Sequence, residues 1–179
     1  MIGRFQPFTK GHYKCVEEAW RQKKIPTVIA MIETKDEKVD EKHPFPSSLT
    51  LPLYKELFNR DNKIADIILV SNANIVTIGE ECQKLGYEIA SWTCGTDRID
   101  SYTRMSTKYH DDAHLSDDFE MIEVFRTGED ISATKVREAL IKGDKNTFYK
   151  LTPMQSLSAK LKGQDAYTIL KDQIDKVVK

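Results

Sequence analysis

Two continuous apolar runs constrain the fold of this chain more than any other feature of its sequence. They are TVIAMI at residues 27–32 and IADIILV at residues 64–70. Both are rich in β-branched residues and read as continuous hydrophobic segments, a pattern typical of strands buried on both faces of a parallel sheet. A helical pattern lies between them, so we expect a right-handed strand–helix–strand crossover.

The alternation of strand and helix patterns continues along the whole chain. Weaker strand patterns cover residues 87–94 and 119–126, and helical patterns cover residues 11–24, 49–59, 74–85 and 132–142. We therefore predict an α/β protein with a Rossmann-like, doubly wound parallel sheet. Two polar segments interrupt the pattern, and we interpret residues 33–48 and 104–118 as loops at the carboxyl ends of strands, where such sheets bind ligands.

Composition narrows the class of protein. A chain of 179 residues can bury a core without disulfides, and 27 basic residues against 28 acidic ones give no reason to expect nucleic acid or a membrane surface as a partner. The cysteines are odd in number and widely spaced, at Cys15, Cys82 and Cys94. That pattern indicates reduced thiols, and without a signal peptide or a long apolar run we expect a soluble, cytoplasmic protein.

The string GRFQPFTKGH at residues 3–12 has the chemistry of a phosphate-binding turn. Gly11 permits close approach of the backbone to a ligand, and a helix that starts at this point directs unpaired N–H groups and a partial positive charge at phosphate. His12 would lie in the first helical turn, and Arg4 adds a planar cation. Only two residues precede Gly3, so the first strand is either a very short central strand or one whose true start lies upstream.

A second helix start follows in ISATKVREAL, which begins at Ile131. Asp130 or Ser132 would cap this helix. Taken alone, the segment is best interpreted as an ordinary helix start with solvated surface charge at Lys135 and Arg137. Combined with the first string, it would direct another helix N-terminus and a guanidinium fork at the same polyanion.

The two strings together resemble the (H/T)xGH and ISxTxxR signatures of the nucleotidylyltransferase superfamily, and the first is most similar to nicotinamide-nucleotide adenylyltransferases. The resemblance extends over roughly the first 150 residues. It implies that His12 stabilises the α-phosphate during transfer, with Lys10 nearby, and that Arg137 stabilises the departing pyrophosphate. The looser match of GTDRIDSY at residues 95–102 implies contacts with base and ribose, although a solvated loop is the alternative. The implied nucleotide-binding residues are Gly3, Arg4, Phe5, Thr9, Gly11, Gly95, Asp97, Arg98, Ile131, Ser132 and Thr134.

The resemblance also implies an activity. AMP would pass from ATP, accompanied by Mg²⁺, to a phosphomonoester acceptor, with nicotinamide mononucleotide (NMN) as the favoured acceptor and NAD and pyrophosphate as products. No arginine lies within residues 33–59, where relatives hold the acceptor phosphate, so Lys42, His43 or Lys55 would replace it. Cytidylyl transfer, or adenylyl transfer to pantetheine phosphate, FMN or a sugar or polyol phosphate, stays open, as does a non-catalytic nucleotide-binding scaffold. We predict no metal site formed by protein side chains.

The chain divides in this interpretation into a nucleotidylyltransferase domain at residues 1–152 and a helical tail at residues 153–179. Apolar residues of the tail recur at helical spacing, and Gly163 would split it into two shorter helices. An isolated helix of this length is marginal in water, so its apolar stripe needs a partner. That partner is either the domain's own helices or a second copy of the chain, and we favour a homo-oligomer.

Overall fold

The computed structural model describes residues 1–125, 131–156 and 161–178. Within that part of the chain, strands and α-helices alternate up to α5, two further helices follow it, and short 3-10 turns lie at Asp36–Lys38 and Pro153–Ser156. The elements are β1 (Ile2–Gly3), α1 (Lys10–Lys23), β2 (Thr27–Ile32), α2 (Ser47–Phe58), β3 (Ile64–Val70), α3 (Ile75–Lys84), β4 (Ile89–Gly95), α4 (Ile99–Lys108), β5 (Leu115–Val124), α5 (Ala133–Ile141), α6 (Lys145–Leu151) and α7 (Ala166–Val177).

The predicted α/β class and parallel strand pairing are confirmed. Hydrogen bonds join β1, β2 and β3 in that order, and a separate pair joins β4 to β5. Every pairing is parallel. The two apolar runs form β2 and β3 with the predicted bounds. In the register of these strands, Ile29 lies opposite Ile67 and Met31 opposite Leu69. Strand β2 has no exposed residue, whereas β3 is buried or half-buried except at Leu69, which is 38% exposed.

The polar loop predicted at residues 104–118 is wrong. Helix α4 extends through Lys108, and β5 begins at Leu115. The helix has a narrow apolar stripe, because only Ile99, Tyr102 and Met105 pack against the core while most other side chains face water. Three apolar residues in a polar stretch are too weak a pattern to predict a helix from sequence. Arg126 and Asp130, assigned above to a strand end and a helix cap, lie outside the described residues.

The chain forms two compact units. We call the first the sheet unit; it contains residues 1–3, 14–32 and 62–129 and holds all five strands. The second is the helical unit; it contains residues 4–13, 33–61 and 130–179 and holds α2, α5, α6 and α7. The boundary at 152/153 inferred from the sequence stays a prediction.

The core of the sheet unit is apolar. Its buried residues include Ile68, Val70, Ile75, Ile78, Trp92 and Ala113. Cys15, Cys82 and Cys94 are buried and not joined by disulfides, and burial raises the pKa of the Cys94 thiol to about 11. A cavity of about 130 Å³ lies within this unit, lined by Met1, Val28 and Trp92 among others.

The tail packs within the helical unit. Asp165 caps α7 by accepting the N–H of Thr168, and α7 buries an apolar stripe formed by Ala166, Ile169, Leu170 and Ile174. The stripe contacts α5 of the same chain. Gly163, with φ of +85°, lies between α7 and the 3-10 turn at Pro153–Ser156. The division of the tail into two helices stays a prediction. Residues 157–160 and 179 of the tail lie outside the described residues. Self-association through the tail stays a prediction.

Among the helices described, none has the length and apolar character needed to span a bilayer.

Replacing Gly79 of α3 by alanine should destabilise the sheet unit. An added Cβ would lie 2.0 Å from the carbonyl oxygen of Ala113, so backbone must move. We expect Gly79→Ala to lower the free energy of unfolding by about 3 kcal/mol, as for other overpacked core sites. The control is Gly86→Ala, where nothing lies within 4 Å and the φ of +80° alone should cost about 1 kcal/mol. Chemical denaturation measures both, and an equal or smaller loss at Gly79 would contradict the packing described here.

Candidate active site

The turn between Arg4 and Lys10 is built on buried aromatic rings of the helical unit. Phe5 and Phe8 are 3% and 0% exposed. The ring centroid of Phe8 lies 5.0 Å from that of Phe5 and 5.2 Å from that of Phe58 in α2. The hydroxyl of Tyr54, also in α2, accepts the N–H of Phe8 and donates to the carbonyl of Phe5, both at 3.0 Å. The turn therefore has a rigid backbone whose hydrogen bonds are shielded from water.

This turn fixes the tautomer of His12. Nδ1 of His12 accepts the backbone N–H of Thr9 at 3.0 Å, and the N–H of His12 donates to Oγ1 of Thr9 at 3.3 Å. Because Nδ1 accepts a hydrogen bond from an amide, a neutral imidazole carries its proton on Nε2. The ring is held edge-on against Phe5, with centroids 5.0 Å apart. His12 thus presents an oriented N–H donor.

The second motif begins against the first. Ser132 caps α5 by accepting the N–H of Lys135 at 3.3 Å, as the sequence predicts. A Cβ added to Gly11 would lie 3.5 Å from Oγ1 of Thr9 and 3.6 Å from the carbonyl oxygen of Ile131. The N-termini of α1 and α5 therefore approach each other closely at Gly11 and Ile131.

Arg137, one turn into α5, is anchored to the first motif. Nη1 donates to the carbonyl of Gln6 at 2.7 Å, and Nη2 donates to Oγ1 of Thr134 at 3.2 Å. Burial lowers the pKa of the Arg137 guanidinium, and the charges of Asp40 and Glu138 oppose that shift. An arginine stays protonated through such a shift, so a cation is held here with little conformational freedom.

A cavity of about 550 Å³ opens beside these groups. Its basic lining residues are Arg4, His12, Lys42, His43 and Arg137, and no acidic residue lines it within the described part of the chain. Arg4 is anchored by donating from Nη1 to the carbonyl of Glu33 at 3.2 Å. A concave surface with several cations and helix N-termini at its wall is suited to a polyanion.

A tight turn carries Lys42 and His43 to the cavity. Oδ1 of Asp40 accepts the backbone N–H of Lys42 at 2.9 Å and that of His43 at 2.6 Å. These bonds hold the pKa of Asp40 below its usual range. The Asp40 carboxylate is thereby engaged with the backbone of the turn, and the side chains of Lys42 and His43 line the cavity.

The predicted residues fall into four groups. Arg4, Phe5, His12, Thr134 and Arg137 line the cavity, and Thr9, Gly11, Ile131 and Ser132 form the backbone and capping contacts described above. Lys10 is the first residue of α1 and does not line the cavity. The remaining residues belong to the sheet unit: Gly3 ends β1, Gly95 ends β4, and Asp97 and Arg98 precede α4 as an exposed ion pair of 3.6 Å. Sequence reasoning missed Gln6, whose signal was a polar residue between Phe5 and Pro7 in an otherwise apolar turn.

Known proteins provide a comparison for this geometry. The family model of the cytidylyltransferase-like proteins matches residues 1–139. No curated protein sequence matches the chain. Among solved structures, the chain is similar to the crystal structure of a bifunctional NMN adenylyltransferase/ADP ribose pyrophosphatase from Francisella tularensis, with a TM-score of 0.61 and 18% identity. The match covers 98% of this chain and 52% of that one, so the chain spans about half of that protein's length and shares its fold.

Removal of the Tyr54 hydroxyl should destabilise the turn. Tyr54→Phe leaves a buried N–H at Phe8 and a buried carbonyl at Phe5 without this partner, which should cost about 2–4 kcal/mol in free energy of unfolding. Burial also raises the pKa of this hydroxyl, so it stays a neutral donor. Tyr87→Phe, at a residue 38% exposed, is the matched control and should change stability by less than about 0.5 kcal/mol. Equal effects of the two substitutions in urea denaturation would argue against this role of Tyr54.

Proposed function

Because the chain belongs to the cytidylyltransferase-like family and is a nucleotidylyltransferase, we propose that it transfers AMP from ATP to a phosphomonoester, with NMN as the favoured acceptor. The observation that carries the proposal is the cavity in the helical unit that is lined by His12, Arg137, Arg4 and Lys42 and by no acidic residue among those described. The resemblance of the motifs to nicotinamide-nucleotide adenylyltransferases favours adenylyl over cytidylyl transfer.

The reaction needs no covalent intermediate with the protein. An oxygen of the acceptor phosphate attacks the α-phosphorus of ATP in line, the bond from the α-phosphorus to the bridging oxygen breaks, and pyrophosphate leaves with that electron pair. Catalysis of such a transfer depends on positioning and on charge stabilisation at the phosphoryl oxygens. The Nε2–H of His12, oriented by Thr9, would donate to an α-phosphate oxygen as negative charge develops.

The β- and γ-phosphates would bind at the start of α5. Arg137 is fixed by Gln6 and Thr134, and the backbone N–H groups of the first turn of α5 offer further donors. We assign Arg137 to the departing pyrophosphate for this reason. Lys10 would contribute long-range positive charge from the N-terminus of α1. The roles of Gly95, Asp97 and Arg98 toward base and ribose stay predictions.

Mg²⁺ fits this site only as a complex with the triphosphate. No cluster of three or more His, Cys, Asp or Glu side chains able to hold a metal occurs among the described residues. Phosphate oxygens and water satisfy Mg²⁺ without a protein cage, so a lining of cations and hydroxyls is compatible with the bound complex. When bound, the ion would neutralise charge on the phosphate oxygens.

The acceptor phosphate would bind to Lys42 and His43. Both line the cavity, whereas Lys55, the third residue considered for this role, does not. The Asp40 turn fixes the backbone of the pair. A lysine and a histidine provide no bidentate fork, so this subsite should hold a phosphate with less orientation than an arginine would. The choice of NMN as acceptor rests on the motif resemblance alone.

A panel of substrates tests the acceptor. ATP or CTP is incubated with NMN, phosphopantetheine, FMN and sugar or polyol phosphates, and both pyrophosphate and the nucleotide product are measured. We expect ATP with NMN to give NAD and stoichiometric pyrophosphate. If CTP with a sugar or polyol phosphate reacts instead, the cytidylyltransferase alternative replaces this proposal. Binding of ATP without any transfer would favour a non-catalytic scaffold.

His12→Asn should lower turnover much more than it lowers affinity for ATP. The oxygen of asparagine can still accept the N–H of Thr9, but the Nε2–H donor is lost. Loss of one such donor typically lowers kcat by about 10²–10³-fold. His114→Asn is the matched control, because His114 is exposed, has a φ of +51° that asparagine tolerates, and belongs to the sheet unit. Steady-state kinetics measure both variants, and turnover of His12→Asn within about threefold of wild type would refute the assigned role, since that is under ~0.7 kcal/mol of barrier.

A further inference from the structure

The loop that carries Lys42 and His43 is closed at its base by paired hydrogen bonds. The N–H of Thr34 donates to Oγ of Ser47, and the N–H of Ser47 donates to the carbonyl of Thr34, both at 2.8 Å. Thr34 and Ser47 are 5% and 6% exposed. This base holds the two ends of the loop together, but Lys42 and His43 lie well away from it along the chain.

Gln6 attaches the loop to the first motif. Its side chain donates from Nε2 to Oγ1 of Thr34 at 3.2 Å and to the carbonyl of Phe45 at 2.7 Å, and Oε1 accepts the N–H of Phe45 at 3.0 Å. Gln6 is only 6% exposed, and Phe45 is fully buried. The paired bonds to Phe45 fix the orientation of the amide, because a flipped group would place its NH₂ against an N–H donor.

The backbone carbonyl of Gln6 binds a side chain at the opposite wall of the cavity. Its carbonyl accepts the Nη1–H of Arg137 at 2.7 Å, and the two residues are 131 positions apart in sequence. A single residue therefore contacts the guanidinium assigned to pyrophosphate through its backbone and, through its side chain, the loop assigned to the acceptor phosphate.

We propose that Gln6 is a positioning residue that sets the separation between Arg137 and the Lys42–His43 turn, so that both contact one polyanion. The proposal rests on the proposed function only for the identity of that anion, the phosphates of a nucleotide. In this role Gln6 need not touch the reacting atoms. Its effect acts through Lys42 and His43 on one side and Arg137 on the other.

A second glutamine anchors the same loop from α7. Nε2 of Gln173 donates to the carbonyl of Pro44 at 3.0 Å, next to His43. Gln173 is only half-buried, so its loss should disturb packing less than the loss of Gln6. The tail thus contributes an anchor to the loop that reaches the cavity.

The test is the affinity of the full chain for inorganic tripolyphosphate, measured by titration calorimetry at constant ionic strength. Gln6→Met preserves side-chain length and removes all three side-chain bonds, and we expect about tenfold weaker binding. Lys42→Met should weaken binding to a similar extent. Because part of the effect of Gln6 acts through Lys42, the double variant should bind more tightly than the sum of the two single effects predicts. Gln83→Met, at an exposed position of α3 in the sheet unit, is the control and should bind as wild type does.

Gln173→Met keeps the test decisive if Gln6→Met folds poorly, and it should weaken tripolyphosphate binding by about threefold. Wild-type affinity of either glutamine variant, or full additivity of Gln6→Met and Lys42→Met, would overturn the positioning role. Tripolyphosphate binding with the expected pattern but no nucleotidyl transfer would refute the proposed function alone. Absence of tripolyphosphate binding by the wild-type protein would overturn both.

Discussion

The hydrogen bond from Arg137 to the carbonyl of Gln6 is the interaction on which the candidate site depends. A guanidinium that is partly withdrawn from water needs acceptors for its N–H groups, and this backbone carbonyl is one that the buried turn holds rigidly. The bond joins the middle of the first motif to α5, one turn from the N-terminus of that helix. It therefore places the N-terminus of one helix beside that of another, and the cations of both motifs line the same cavity.

Such a site is electrostatically costly before a ligand binds. Arg4, Lys42 and Arg137 repel one another, and no acidic residue among those described lines the cavity. Asp40, whose carboxylate pairs with His43 at 3.2 Å and whose charge acts on Arg137, lies outside that lining. The turn tolerates this because aromatic packing around Phe8 and the hydrogen bonds of Tyr54 stabilise it independently of the charges. An anion that enters would relieve the repulsion, so binding energy is available at the place where charge develops during phosphoryl transfer.

The sequence was informative where a pattern had one physical cause. Continuous apolar runs predicted β2 and β3, and glycine followed by histidine at a helix start predicted the position of His12 beside the N-terminus of α1. The sequence was uninformative where contacts between distant residues determine the structure. Helix α4 has too narrow an apolar stripe to detect, and the role of Gln6 depends on Phe45 and Arg137, which are far from it in sequence. The sequence named Lys42, His43 and Lys55 as candidates for the acceptor phosphate without distinguishing between them. The Asp40 turn, which brings Lys42 and His43 but not Lys55 to the cavity, is visible only in the structure.

We propose that the triphosphate of a nucleotide binds between the two motifs in the helical unit. A crystal structure with Mg²⁺ and an ATP analogue whose α–β bridging oxygen is replaced by methylene tests it most directly. The account predicts α-phosphate oxygens within hydrogen-bond distance of Nε2 of His12, and β- or γ-phosphate oxygens within hydrogen-bond distance of Arg137. Phosphates bound away from both residues, for example at the cavity of the sheet unit lined by Met1 and Trp92, would contradict it.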